Sequence, residues 1–318
     1  MKILLAGLGS IGRRHLRNLL ALGETDLLLF RTGKATLPDD ELAGFPVETE
    51  LDAALAHHPD AVVVSNPTAY HLDVAIPAAE AGCQILLEKP VSHNMKGVDR
   101  LRETVARTGA RVLLGFQFRW HPGIQTVKQL LDAGEIGAPV SARAHWGEYL
   151  PDWHPWEDFR SGYAARPDLG GGAVLTLSHP IDYLRWLLGE MEMVSGLTSN
   201  MGLGLPVEDT AEITMRFASG AVGSVHLDYV QRPPSHWLEI VGTDGTVRWD
   251  NGDGGVSVYR AETRVWQRIP SPPGFERNTM FLDEMRHFLA VIRGEAPPAC
   301  TLADGIRALQ ICLEVLRS

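Results

Sequence analysis

Cysteine is scarce in this sequence of 318 residues: Cys83, Cys300 and Cys312 are the only three. An odd, sparse set offers neither a disulfide framework nor zinc-finger spacing, and it fits a reducing, cytoplasmic setting. Positive charge is also in short supply. Lys and Arg number 29 against 39 Asp and Glu, a formal net charge of -10. Nucleic acid or an anionic membrane as partner needs a basic face, so neither is expected. No uncharged run is long enough to span a bilayer. The apolar start, Met1-Lys2-Ile3-Leu4-Leu5-Ala6, runs straight into glycines with no cleavage site, and reads as a first strand instead of a signal peptide. Internal repeats and low-complexity tracts are absent.

What is present is a globular composition, 45% hydrophobic and 21% charged, in a chain long enough for two domains. The stretch that organises the rest is Leu86-Leu87-Glu88-Lys89-Pro90. A strand-like run from Gln84 ends there in an acid, a lysine and a proline. Proline cannot continue a ladder, so the chain turns, and strand ends in α/β sheets face the ligand crevice. Lys89 is therefore expected at the crevice edge; an ordinary loop lysine before a turn proline would look the same.

Lys2 to Ala6 reads as a strand, Gly7-Leu8-Gly9-Ser10-Ile11-Gly12 as a dinucleotide fingerprint, and Arg13 to Leu22 as the following helix. Gly7 permits the tight turn, Gly9 the approach of a pyrophosphate, and Gly12 close helix–strand packing, while the helix amides near Ser10 and Ile11 take the phosphates. The second strand, Asp26 to Phe30, ends in Arg31-Thr32-Gly33-Lys34, where NAD sites usually carry an acid. Two cations in that place favour a 2′-phosphate, so NADP is the preferred cofactor and NAD the alternative. Ala61 to Val64 is a buried strand that ends at Ser65-Asn66-Pro67-Thr68, with His71 just beyond. Asn66 and Thr68 could hold a ribose or carboxamide, or serve as turn and N-cap residues. Helices at Leu51–His57, Leu72–Ala81 and Asp99–Thr108 alternate with strands at Gln84–Leu87 and Val112–Phe116, a doubly wound pattern.

After a crossing segment, Gln117 to Pro122, the spacing predicts a helix over Gly123–Ala133 and a strand over Pro139–Tyr149. A loop dense in aromatic and polar groups follows, with Trp153, Arg160 and Tyr163 as substrate candidates. Aromatic faces beside charged groups suit a polyol; a loop packed down by its tryptophans is the plainer reading. From Gly170 to Leu188, Val174, Leu177, Ile181, Leu184 and Leu188 make one helical stripe, with Thr176, His179 and Tyr183 opposite. Sheet-like alternation runs from Glu208 to Ile269. Helices are expected over Arg277–Ile292 and, after a capping box at Thr301 to Asp304, to Leu316.

Taken together, Gly7-x-Gly9-x-x-Gly12, Asn66-Pro67 with His71, Glu88-Lys89-Pro90, the Gly170-Gly171-Gly172 run and His179-x-x-Asp182 resemble the glucose–fructose oxidoreductase/inositol dehydrogenase/MocA family over nearly the whole chain. The resemblance implies a Rossmann domain, residues 1–120, and a C-terminal α/β domain with an open, mostly antiparallel sheet, residues 121–318, the last helix able to pack back on the first domain. It implies hydride transfer between NAD(P) and a sugar, cyclitol or related polyol or keto-sugar. Lys89 would lie between nicotinamide and substrate, Glu88 near the cofactor ribose, and His179 would be the acid/base. The cofactor set is then Gly7, Gly9, Ser10, Ile11, Gly12, Arg31, Thr32, Asn66, Thr68, His71 and Glu88. Gln117, Arg119, Trp153, Arg160, Tyr163, Thr176 and Asp182 are expected on the substrate side. The family usually places a carboxylate three or four residues before the histidine; here those places hold Thr176 and Leu175, leaving Thr176, Asp182 or the aromatic loop to orient it. A homodimer or homotetramer through the C-terminal sheet is expected. No metal is expected, because the histidines show no ligand spacing. The alternatives are a glycosidase or lyase that oxidises its substrate transiently on a bound cofactor, and a cofactor-binding regulator without turnover.

Overall fold

A computed structural model describes residues 1–33 and 37–318. The chain divides into two compact units. The first comprises Met1–Phe116, Asp168–Gly170 and Asn278–Leu309; the second comprises Gln117–Pro167, Gly171–Arg277 and Gln310–Ser318.

In the first unit, β1 (Ile3–Ala6) leads through the glycine loop into α1 (Ser10–Ala21). Then come β2 (Leu27–Phe30), β3 (Val47–Glu48), α2 (Leu51–Leu55), β4 (Ala61–Val64), α3 (His71–Glu80), β5 (Gln84–Glu88), α4 (Val98–Thr108) and β6 (Val112–Gly115). All six strands pair in parallel, in the order β3-β2-β1-β4-β5-β6. That order reverses direction at β1, which is where doubly wound sheets bind ligands. β1 and β4 are buried along their whole length, as expected of strands covered by helices on both faces.

The second unit begins with α5 (Pro122–Asp132), whose start is set by Pro122 at its first turn and by His121 Nδ1, which accepts from the Gly123 amide at 3.0 Å. β7 (Pro139–Tyr149), α6 (Ala173–Thr176), α7 (His179–Leu188) and β8 (Met191–Ser199) follow. β9 (Thr210–Phe217), β10 (Val222–Asp228), β11 (Val230–Gly242), β12 (Gly245–Asp250), β13 (Val256–Arg260) and β14 (Val265–Ile269) complete an eight-stranded sheet, ordered β14-β13-β12-β11-β7-β10-β9-β8. Within this sheet, only the β7–β10 pair is parallel among the described strands. One face carries Ala142, Ala144, Trp146, Ile213, Val225, Leu227, Leu238 and Ile240, all buried; the other alternates to polar residues.

α8 (Arg277–Arg293) returns the chain to the first unit, and α9 (Leu302–Val315) closes it. Thr301 and Asp304 form the expected capping box: Asp304 Oδ2 accepts from the Thr301 amide at 2.9 Å, and Thr301 Oγ1 from the Asp304 amide at 3.2 Å.

Two local expectations need correction. The single helix read across Gly170–Leu188 is two, α6 and α7, because Pro180 has no amide to continue the first and instead occupies the opening turn of the second. The face with Thr176, His179 and Tyr183 is as buried as the apolar stripe opposite it. The strand β8 was not expected at all; its exposed pattern hides any alternation of apolar residues. No helix among the described residues is long and apolar enough to cross a membrane.

Candidate active site

In the first unit, the carboxyl ends of β1, β4 and β5 lie side by side, since Ala6 pairs with Val64 and Val64 with Leu87. Gly7, Asn66 and Lys89 therefore leave the sheet at one edge. Gly7 has φ +93°, and a Cβ there would collide with the backbone of Asn66. A Cβ on Gly12 would meet the Gly7 carbonyl, so the helix start is pressed against the loop as a phosphate-binding turn requires. A Cβ on Gly9, by contrast, would meet nothing within 4 Å. α1 begins there without a side-chain cap and without an acidic residue in its first turn. Its opening amides, around Ser10 and Ile11, thus present a partial positive charge to open space, which fits a pyrophosphate.

Asn66 donates from Nδ2 to the Tyr70 carbonyl at 2.9 Å, while its Oδ1 is buried without a partner. An amide oxygen held in this way suits a ribose hydroxyl or a carboxamide N–H. Thr68 is buried at the start of the next turn, against Gly170. His71 is buried with Nδ1 2.8 Å from the Pro90 carbonyl and Nε2 3.0 Å from the Asn66 carbonyl. The ring thus lies between the two turns, its single N–H in the neutral form donating to one of these carbonyls, and burial lowers the imidazole pKa despite them.

Glu88 is buried beneath Lys89. Its Oε1 lies 2.7 Å from His15 Nε2 and its Oε2 accepts from the Lys89 amide at 3.3 Å. Burial alone would raise its pKa; the bond to His15 and the charges of His15, Lys89 and His71 override that, and the net direction is down. Lys89 is half-buried, and the Lys89-Pro90 peptide is cis. On α8, Glu284 is fully buried, with neither carboxyl oxygen hydrogen-bonded. Burial, and then the nearby Glu88 charge, push its pKa well up, so it is a neutral acid. Glu284 was missed in the sequence, where it is one of two adjacent acids, Asp283 and Glu284, on a helix.

At the end of β2, Arg31 is paired with Asp39 at 2.7 Å. Arg13 reaches the same segment and donates to the Pro38 and Leu37 carbonyls at 2.6 and 3.2 Å. The expectation of two cations and no carboxylate at this strand end is thus altered: Asp39 returns to offset Arg31. Lys34, the second cation, lies outside the described residues. Thr32 is exposed beside Arg31.

In the second unit, His179 opens α7 on a floor of rings. Phe118 lies 5.0 Å from it edge-on and Trp146 5.4 Å away, centroid to centroid. Trp146 stacks on His236 at 4.5 Å, and His236 Nε2 is 3.3 Å from the Tyr183 hydroxyl. Burial pushes the pKa of His236 well down and that of His121 to about 4, so both are neutral near pH 7. Arg119 and Asp182 form a buried, two-pronged ion pair at 2.9 and 2.7 Å. Asp182 is therefore committed to Arg119, and Thr176 is buried. Gln117 is buried beside Arg119 in sequence.

The glycine run packs on a carboxylate that sequence reasoning missed. Glu208 Oε1 accepts from the Val174 amide at 3.0 Å, and a Cβ on Gly172 would strike that carboxylate. Its pKa is raised, chiefly by burial. In the aromatic loop, Trp153 packs edge-on against Tyr229 at 5.7 Å with its indole nitrogen buried and unpartnered. Arg160 lies over the Phe159 ring, and Tyr163 is partly exposed.

Known proteins resemble this chain in both of its units. Residues 1–116 match the family described as oxidoreductase, NAD-binding Rossmann fold, and residues 124–248 match the GFO/IDH/MocA C-terminal domain. The chain is 27% identical to a 1,5-anhydro-D-fructose reductase of Ensifer adhaerens, over 90% of this chain and 82% of that protein. It is 28% identical to a scyllo-inositol 2-dehydrogenase (NAD(+)) of Bacillus subtilis, over 98% of this chain and 92% of that one. Among solved structures, a levoglucosan dehydrogenase in complex with NADH and levoglucosan superposes with a TM-score of 0.86 at 22% identity, covering 100% of this chain and 96% of the other.

Proposed function

The chain belongs to the Gfo/Idh/MocA oxidoreductase family, a nicotinamide-dependent dehydrogenase or reductase by class, and from that premise we propose that it transfers a hydride between the nicotinamide and a carbinol or carbonyl carbon of a sugar, anhydrosugar or cyclitol. The observation that carries the reading is the edge of the first sheet. A glycine cradle open at Gly9, the unpartnered Asn66 Oδ1 and Lys89 all leave adjacent parallel strands there.

The cofactor supplies the hydride carrier; the protein must supply the proton and hold the charge that develops on the substrate oxygen. A half-buried ammonium at Lys89 favours alkoxide character in the transition state. His179, an imidazole held by Phe118 and Trp146, is the proton partner in this reading. Beneath Lys89, ionised Glu88 tethers the lysine's own amide and adds a compensating negative charge. On the substrate side, Trp153, Arg160 and Tyr163 of the aromatic loop supply ring faces and polar groups, with Gln117 and the Arg119–Asp182 pair shaping the wall around His179. Residues 1–120 are read as the cofactor domain and 121–318 as the substrate and assembly domain, apart from Asp168–Gly170 and Asn278–Leu309, which belong to the first compact unit.

The polar face of the eight-stranded sheet is proposed as the surface for self-association. It exposes Met193, Leu197, Val222 and Trp266 among interspersed arginines and glutamates, as a self-complementary face would.

The test is a fluorescence titration with NADH and NADPH, followed by a panel of polyols, keto-sugars and anhydrosugars read by nicotinamide absorbance. Turnover of one panel member is expected. In the Lys89→Ala variant, kcat should fall by about 10²–10³-fold with cofactor affinity within a few-fold of the parent. Near-normal turnover in that variant rejects the role of Lys89. Product formation without net absorbance change would assign the chain to transient oxidation instead.

A further inference from the structure

The polar face of the second unit's sheet carries a row of side chains that the proposed hydride transfer does not use. Strand register sets Glu212, His226, His145 and Trp237 next to one another across β9, β10, β7 and β11. Asp228 stands two residues beyond His226 on the same strand, and so on the same face. Its register partner is Gly147, where a Cβ would strike the Asp228 carboxylate. Glycine there makes room for that carboxylate beside the histidines.

Each group in the row is oriented. Asp228 Oδ1 accepts from the Val230 and Gln231 amides at 2.7 and 2.6 Å, which turns Oδ2 toward His226 Nε2 at 2.9 Å. Glu212 Oε1 holds the other nitrogen of His226, Nδ1, at 2.6 Å. His145 stacks on His226 with ring centroids 4.7 Å apart, and its Nε2 lies 3.2 Å from the Gln231 amide oxygen. One donor atom from each of His145, His226 and Asp228 lies within 4.8 Å of the others. Asp228 is buried and both histidines are half-buried.

We propose that His145, His226 and Asp228 form a binding site for a divalent transition-metal ion of the Zn²⁺ class, with Glu212 as the carboxylate that orients His226. Two imidazoles and one carboxylate leave a fourth position for water or the Gln231 amide oxygen, a donor set that suits zinc and its neighbours better than magnesium or calcium. Donors about 2.0–2.2 Å from one ion stand roughly 3.3 Å apart at a tetrahedral angle. The His226–Asp228 pair is already within a few tenths of an ångström of that spacing. His145 must turn about its Cβ–Cγ bond, away from Gln231, and open the stack to bring its nitrogen in. Glu212, His226 and the ion then repeat the carboxylate–histidine–metal arrangement that fixes a ligand's tautomer. An imidazole nitrogen must be unprotonated to ligate, so uptake weakens as pH falls.

The experiment uses the full chain, stripped with a chelator and titrated with Zn²⁺ by calorimetry and with Co²⁺ by visible absorbance. One equivalent per chain is expected, with the visible bands of low-coordinate Co²⁺, proton release on binding, and no comparable uptake of Mg²⁺. His226→Ala and Asp228→Asn should each weaken uptake by about 100-fold or more, and Glu212→Gln by about 10–100-fold. His57→Ala, in the first unit, should change nothing. Because Asp228 also holds the turn at Val230 and Gln231, melting of the metal-free variants is measured alongside. If Asp228→Asn unfolds early, His145→Gln, a half-buried change on the sheet face, takes its place with the same loss expected. Failure of the parent chain to take up either metal stoichiometrically overturns the proposal. So does unchanged affinity in His226→Ala and His145→Gln, which would assign uptake to other histidines.

Discussion

Arg31 shows how one residue's meaning changes once its neighbours are known. As the last residue before a loop it reads as a phosphate ligand; in the structure its guanidinium is held by Asp39 at 2.7 Å. A 2′-phosphate would have to compete with that carboxylate, and its own charge would repel it. Asp39→Asn is therefore expected to tighten NADPH binding several-fold and leave NADH within about twofold. Parallel titrations of both cofactors check this, and an equal change in both would show that Arg31 does not read the phosphate. Glu284 makes a different point. It keeps its proton in the folded chain because burial and the Glu88 charge raise its pKa, whereas an unfolded glutamate loses the proton above about pH 4.5. The folded state therefore holds a proton the unfolded state has released, and stability present at low pH is lost as pH rises from about 4.5 toward the folded pKa. Glutamine carries no such cost. Glu284→Gln should melt with the parent near pH 4 and above it at pH 7–8; a difference in melting temperature that does not change with pH would contradict the assignment.

At the scale of elements, legibility followed the range of the forces involved. The strand–glycine–helix opening could be read because its logic is local. Gly7 answers a clash with the turn after β4 and Gly12 one with the loop itself, while Gly9 leaves open space, as the spacing implied. β7 and β14 could be bounded from alternation or short β-rich runs alone. β8 could not, since most of its residues are exposed at the sheet's edge. The break between α6 and α7 was written in Pro180, yet the apolar stripe on both sides of it outweighed the proline. Asp39, Glu208 and Glu284 had no local signal, because their partners are brought to them by the fold. The same holds for His145 and His226, joined only by strand pairing. For α1 the local argument yields a direct expectation. A Cβ on Gly12 strikes the Gly7 carbonyl and the Ser65 hydroxyl. Gly12→Ala should displace the helix start from the loop and weaken cofactor binding by about tenfold or more while the chain stays folded. Unchanged affinity would show that the loop can give way.

At the scale of the whole molecule, an acidic chain must still associate with itself if its sheet face is an interface. Along one row of that face, Leu197 faces Glu212, and along another Met193 and Val222 flank Arg216. Leu197 is 78% exposed, Met193 59% and Val222 50%, and exposed apolar side chains clustered on one sheet face mark an interaction surface when they are contiguous. A two-fold contact would bury each of them against the same patch of a second copy, where opposite charges on the two flanking rows can alternate. Placing a carboxylate in that patch adds like charge to an already acidic molecule and buries it without a partner, at a cost of a few kcal/mol per site in the assembled state. The double variant Leu197→Asp, Val222→Asp should therefore shift the chain to monomer in light scattering at micromolar concentration, with its melting transition little changed because neither residue belongs to a core. A parent chain that is already monomeric, or a variant whose mass is unaltered, would remove this face from consideration.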